Sequence, residues 1–194
     1  MATDTRERIM DRSLELFARQ GVAGTTVVEI EEAAGLSPGS GSFYRHFENK
    51  EAVLVAVVDR EVARAAAERE ARIGEPERLE VAYHRTLHEL VRLQPLIEIA
   101  AREGRRRPGL LEPLQRVLAE DGARAESALL AERMERGEIA EADADAVAAV
   151  AMLALVGHHL AEHFFGAPIG ADRDQFVETL ARMVRGDGPA QQLR

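Results

Sequence analysis

The sequence has no cysteine and no tryptophan, and a single lysine, Lys50, among its 25 basic residues. Without cysteine there can be no disulfide and no thiolate metal site, which fits a reducing compartment; a cytoplasmic location is expected. Proline is sparse, 7 in 194 residues. No Gly/Ser/Pro-rich stretch separates one part of the chain from another, so the whole is expected to fold. The N-terminal stretch lacks the apolar core of a signal peptide. The apolar run Ala146 to Gly157 is shorter than a membrane span and is closely followed by three histidines, so it is expected to be a buried helix, with no membrane partner. Period-2 alternation and Asn-Gly hairpin turns are missing too. The expected fold class is all-α.

The net charge of −9 excludes a protein that coats nucleic acid without specificity. It leaves room for a local basic patch that holds DNA through a few phosphate contacts. No nucleophile elbow, phosphate loop or paired-carboxylate site is present. His84 and His88 stand four apart, as do His159 and His163, but no Glu lies three residues before any histidine and no His-Glu-x-x-His occurs. No catalytic residue, metal or cofactor is therefore expected.

What is present is a succession of helical patterns. Met10, Leu14 and Phe17 share one face of a helix over residues 5–19, which Gln20-Gly21 should end. Thr26 and Glu29 have capping-box spacing, and Val27, Ile30 and Ala34 follow at helical intervals up to Gly35. Ser37 with Pro38 behind it predicts the start of a third helix carrying Phe43 and Phe47 one turn apart. Asn49 is placed to cap a fourth, running through Lys50, Val53, Leu54 and Val57. Beyond it, a helix opening at Pro76 and broken by Pro95, a long helix over 110–136, one capped by Asp143 and one capped by Asp172 are expected.

Two helices joined by a tight turn at Gly35 describe a helix-turn-helix, whose second helix enters the major groove. Small residues at 39–42 would let the backbone approach DNA closely. The hydroxyls of Ser40 and Ser42 can bond base edges or phosphates, Tyr44 and Arg45 can reach phosphate, and His46 adds a donor. Lys50, at a helix N-terminus, is placed to attract phosphate.

The stretch Thr5 to Leu54 resembles the DNA-binding domain of the TetR/AcrR family. The matching residues are Leu16-Phe17, Gly21, Thr25-Thr26-Val27, Ile30, Ala33-Ala34-Gly35-Leu36-Ser37, Phe43-Tyr44-Arg45-His46-Phe47 and Asn49-Lys50-Glu51. The resemblance implies a homodimeric repressor bound to a palindromic double-stranded DNA operator, with Thr26, Ser37, Tyr44, His46 and Lys50 facing DNA. It also implies a C-terminal helical domain for effector and dimer contacts. Two features depart from the family. Glu31 stands where alanine is usual, leaving open whether it rotates outward or loosens the packing. The segment between Ser37 and Phe43 also carries two extra residues.

These readings divide the chain into a three-helix DNA-binding domain, residues 1–49, and a larger helical effector-binding and dimerisation domain, residues 50–194. The expected ligand pocket is lined by Tyr83, Leu87, Leu90, Leu96, Ile99, Leu114, Leu118 and Phe164. The expected dimer face comprises Val150, Leu153, Val156, Gly157, Leu160, Phe176, Leu180 and Val184, because the segment around them is apolar on nearly all sides. The function implied is transcriptional regulation, with repression relieved by a small, largely apolar molecule. The alternative is a helical-bundle carrier or enzyme that does not bind DNA.

Overall fold

The computed structural model describes residues 5–71, 77–104, 109, 112, 116–166 and 170–187. Among them all regular structure is helical. The elements are α1 (Thr5–Gly24), α2 (Val27–Ala33), a one-turn 3-10 helix (Phe43–Arg45) and α3 (Lys50–Glu70). Next come α4 (Leu79–Glu103), a π-helical segment (Arg116–Asp121), α5 (Gly122–Glu135), α6 (Ala144–Phe165) and α7 (Arg173–Arg185). The chain forms two compact units, one of residues 1–73 and 93–117, the other of residues 74–92 and 118–194.

The first unit is built on complementary apolar faces. Ile9, Met10, Leu16 and Phe17 of α1 are buried, as are Ile30 of α2, Phe43, Phe47, and Val53, Leu54, Val57 and Val58 of α3. Their spacing keeps each set on one side of its helix. Gly21, at φ 78° and ψ 162°, interrupts α1 where the sequence places the helix end, although helical turns resume to Gly24. At the start of α2 the capping box is complete. The Thr26 hydroxyl accepts from the Glu29 N–H at 3.2 Å, and the Thr26 N–H donates to the Glu29 carboxylate at 2.7 Å. Asn49 accepts from the Ala52 N–H at 2.8 Å and caps α3 as expected.

The third helix expected from Ser37 does not form. Gly39 and Gly41 both take φ 73°, a left-handed conformation that an L side chain rarely adopts and that breaks helical continuity. Residues 37–42 are a chain of turns, and only residues 43–45 complete a short 3-10 helix. Glu31 neither rotates outward nor loosens the core. It is 1% exposed, and its carboxylate accepts from the Gly39 N–H at 2.7 Å and the Phe43 N–H at 3.0 Å.

Pro95 does not break α4, which runs unbroken from Leu79 to Glu103. A proline inside a helix costs about 3 kcal/mol or more. Leu93, Leu96 and Ile99 are all at most 5% exposed. Burying each such side chain stabilises by about 1.5–3 kcal/mol, enough together to offset the lost backbone bond. Pro76 and the basic run Arg105–Arg107 lie outside the described residues.

In the second unit α5 packs on α6, and α7 on α6. Asp143 and Asp172 cap α6 and α7 through the N–H groups of Ala146 and Gln175. By length and composition α6 is long enough and apolar enough to cross a membrane. It extends well past the apolar run 146–157, and its inner face is buried through Ala148, Ala151, Leu155, His158, His159 and Ala161. His158 stacks on Phe176 of α7 at 4.2 Å. Arg185 of α7 ties to Glu80 of α4 at 2.6 Å.

The buried face of α5 carries Leu130 and, one turn before it, Glu126. Burial pushes the Glu126 carboxyl above the ordinary carboxylate range, opposed by Tyr83, Arg133 and Arg85. Burial, with Glu126 beside it, likewise pushes the Tyr83 phenol up.

Two outcomes follow from this packing. Thr26→Ala should cost about 1 kcal/mol in urea unfolding at neutral pH. The hydrogen bonds from Thr26 hold the Glu29 carboxyl below its ordinary range. The benefit of ionised Glu29 is therefore present above that range and lost as pH falls through the lowered value, so the Thr26→Ala deficit should shrink in acid. Glu126 has the opposite sign, because a raised folded-state pKa means the native state binds the proton more tightly. Its burial penalty is felt above the raised value and fades as pH falls towards the ordinary carboxylate range. Glu126→Gln should accordingly raise the thermal midpoint at pH 8 by more than at pH 4.5.

Candidate nucleic-acid interface

The face made by the end of α2, the turns over 37–42 and the 3-10 helix gathers most of the side chains expected to meet DNA. Ser37, Ser40, Tyr44 and Arg45 are exposed, and Ser42 and His46 half-buried. Tyr44 is 61% exposed although its neighbours Phe43 and Phe47 are in the core. The reason is local: Phe43 points inward, Tyr44 meets it edge-on at 5.4 Å, and Phe47 closes the turn with its N–H on the Phe43 carbonyl at 3.1 Å. The aromatic anchors thus hold a turn whose next two residues, Tyr44 and Arg45, face outward. The hydroxyls of Ser40 and Ser42 lie 2.7 Å apart and bond each other, and the Ser42 N–H donates to the Ser40 hydroxyl at 3.3 Å. Both keep lone pairs for further partners.

Lys50 takes a different place from the one expected. Its ammonium donates to the carbonyl of Val22 at 2.7 Å and to that of Thr25. It satisfies the carbonyls at the end of α1 and ties α3 to the start of the helix-turn-helix. A lysine ammonium has three donors, so at most one remains to reach a phosphate. Thr26 is exposed, but its hydroxyl donates to the Glu29 carboxylate and accepts from the Glu29 N–H. Arg6 is seated over the Phe47 ring, 4.7 Å from its centroid.

Of the expected pocket residues, Tyr83, Leu87 and Leu90 are buried in the second unit, and Leu96 and Ile99 in the first. Leu114 and the side chain of Leu118 lie outside the described residues. Phe164 does not line a core. It is 56% exposed near the end of α6, edge-on to His163. It belongs instead to the outer face of α6, where Val150 and Leu153 are 64% and 72% exposed and Gly157 is open. Val156, Leu160, Phe176 and Val184 are half-buried, whereas Leu180 is buried within the unit.

Two residues escaped the sequence reading. Glu126 was hidden among the many acidic residues of an exposed-looking helix, and only its position four before Leu130 signals the buried face. Glu31 was noticed as a misfit, but its partners are backbone amides 8 and 12 positions away, which no side-chain pattern reveals.

Residues 9–57 match the family model described as bacterial regulatory proteins, tetR family. Over 56 residues the chain is 43% identical to the uncharacterized HTH-type transcriptional regulator YerO of Bacillus subtilis, a stretch covering 29% of this chain and 19% of that protein. Over 64 residues it is 36% identical to the HTH-type transcriptional repressor AcnR of Corynebacterium glutamicum, 33% of each chain. The match thus spans less than half the length of these relatives. Among solved structures, a putative TetR-family transcriptional regulator from Rhodococcus sp. superimposes with a TM-score of 0.71 at 21% identity, over 94% of this chain and 100% of that one. That likeness is one of fold. Residues 9–57 are thus similar to the N-terminal domain of the tetR family of bacterial regulatory proteins.

Proposed function

We propose that the chain is a sequence-specific, DNA-binding transcriptional regulator that works as a cytoplasmic homodimer. It is a repressor that leaves a palindromic operator when a small, largely apolar molecule binds. The observation that carries this reading is the exposed set Ser37, Ser40, Tyr44 and Arg45, with half-buried Ser42 beside them, held by buried Phe43 and Phe47 within a stretch that matches the tetR-family model. A carrier or enzyme would have no use for this arrangement.

Dimerisation is supported by α6. Val150, Leu153, Gly157 and Leu160 recur at helical spacing on its outer side, and Phe164 continues the line. An exposed apolar stripe of this length on a folded domain marks a contact surface, and a second copy presenting the same stripe is its natural cover. We place the effector against the buried side of α4 at Tyr83, Leu87 and Leu90, where Tyr83 and Glu126, with Arg85 and Arg133 close by, supply polar groups.

Regulation then acts through spacing. Two reading segments must match successive major grooves, roughly 34–36 Å apart. Helix α3 begins at Lys50, directly after the DNA-binding domain, and is bonded through Lys50 to the end of α1, so tilting α3 carries the helix-turn-helix with it. A ligand that favours the tilted form lowers operator affinity by its differential affinity for the two forms.

Electrophoretic shift with the DNA upstream of the chain's own gene tests the reading, and absence of a specific complex would overturn it. Arg45→Ala should weaken binding to all sequences and reduce the salt slope by about 1. Tyr44→Ala should weaken binding with little change in slope, and neither should alter the thermal midpoint. Lys50→Ala should lower that midpoint, because two helix-end carbonyls lose their donor. Leu153→Glu should yield a folded monomer by sedimentation and abolish high-affinity binding to a palindrome; a variant that remains dimeric would place the interface elsewhere.

A further inference from the structure

We infer that Glu31 is the positioning residue of the DNA-reading segment, and that this segment is a carboxylate-clamped glycine turn rather than a helix laid in the groove. The inference rests on the DNA-binding reading above and deepens it. Between Leu36 and Phe43 no side chain is buried: Ser37, Pro38, Gly39 and Ser40 are exposed, and Gly41 and Ser42 only half-covered. Hydrophobic packing therefore does nothing to locate these residues. The turns hold their internal shape through the Ser40 N–H on the Ser37 carbonyl at 3.1 Å and the paired hydroxyls of Ser40 and Ser42. Those bonds are local and leave the segment free to swing as a body.

The tether across that gap is Glu31. Its carboxylate, 1% exposed, takes the Gly39 N–H at one oxygen and the Phe43 N–H at the other. The two amides bracket Ser40 and Ser42. The Gly39 and Phe43 N–H groups converge on one carboxylate, each making a hydrogen bond strengthened by the acceptor's charge. Here the anion is the protein's own side chain, carried on α2, which is packed in the core through Ile30. A buried carboxylate without donors is strongly disfavoured, so carboxylate and turn each require the other. The consequence is that the Ser40 and Ser42 hydroxyls stand at a set distance from α2. Tyr44 and Arg45 follow Phe43, which has its own aromatic anchor, so their phosphate contacts do not depend on the clamp.

Base contacts require that placement and phosphate contacts tolerate its loss. Glu31→Gln keeps the shape of the side chain but turns an NH2 towards one of the two amides. The experiment measures binding of the full-length dimer to its selected operator and to unrelated duplex across salt concentrations, with the thermal midpoint of each protein. The expected result is a folded Glu31→Gln protein whose specific-to-nonspecific affinity ratio falls by about tenfold or more, with nonspecific affinity and its salt slope unchanged. A folded variant with the parental ratio overturns the inference and leaves the regulator reading intact. Failure of the parent protein to prefer any sequence overturns both. Should Glu31→Gln not fold, the doubly substituted Ser40→Ala, Ser42→Ala protein decides. A reduced ratio at an unchanged thermal midpoint supports a positioned reading turn, and an unchanged ratio overturns it.

Discussion

A single carboxylate, that of Glu31, holds the outward-facing surface of the first unit together. It is charged chemistry placed where a small apolar side chain would pack, and it is tolerated because two backbone amides arrive to meet it. Burial makes the interaction directional and intolerant of loss, since a hydrogen bond to an ionised acceptor in a poorly solvated site has no replacement from water. From that bond the turn over 37–42 takes its position, while buried Phe43 and Phe47 separately hold Tyr44 and Arg45 outward.

The same logic, polar groups joining elements that apolar packing alone would leave loosely aligned, recurs through the chain. Lys50 joins α3 to the end of α1 through the Val22 and Thr25 carbonyls. Arg60 of α3 reaches Glu7 and Asp11 of α1, at 2.9 and 2.8 Å. Arg185 of α7 reaches Glu80 of α4. Each bond restricts how two helices can rotate against each other. Such links make each packed pair of helices stiffer.

Helix α6 shows how one element serves two surfaces. Its inner side meets α5 and α7 through Ala148, Ala151 and Leu155, and its outer side exposes Val150 and Leu153. The small residues on the inner side permit close approach, so packing consumes little of the apolar surface. The rest stays exposed at Val150 and Leu153. This is why a helix apolar enough to pass for a membrane span is at home in a folded domain.

Local signals in the sequence determined the all-helical class, the capping box at Thr26, the caps at Asn49, Asp143 and Asp172, and the burial of Met10, Phe17, Val53, Leu54 and Val57, with Leu14 of the expected face only half-buried. Those features depend on residues within about a turn of one another, so spacing alone reveals them. The tertiary structure decided what spacing cannot carry. It set the continuity of α4 through Pro95, which depends on the burial of Leu93, Leu96 and Ile99. It placed Phe164 on the outer face of α6, and it gave Lys50 two carbonyl partners on another helix. Above all it replaced an expected recognition helix with a clamped turn, because Glu31 meets backbone amides 8 and 12 residues away, and backbone amides carry no mark in a sequence.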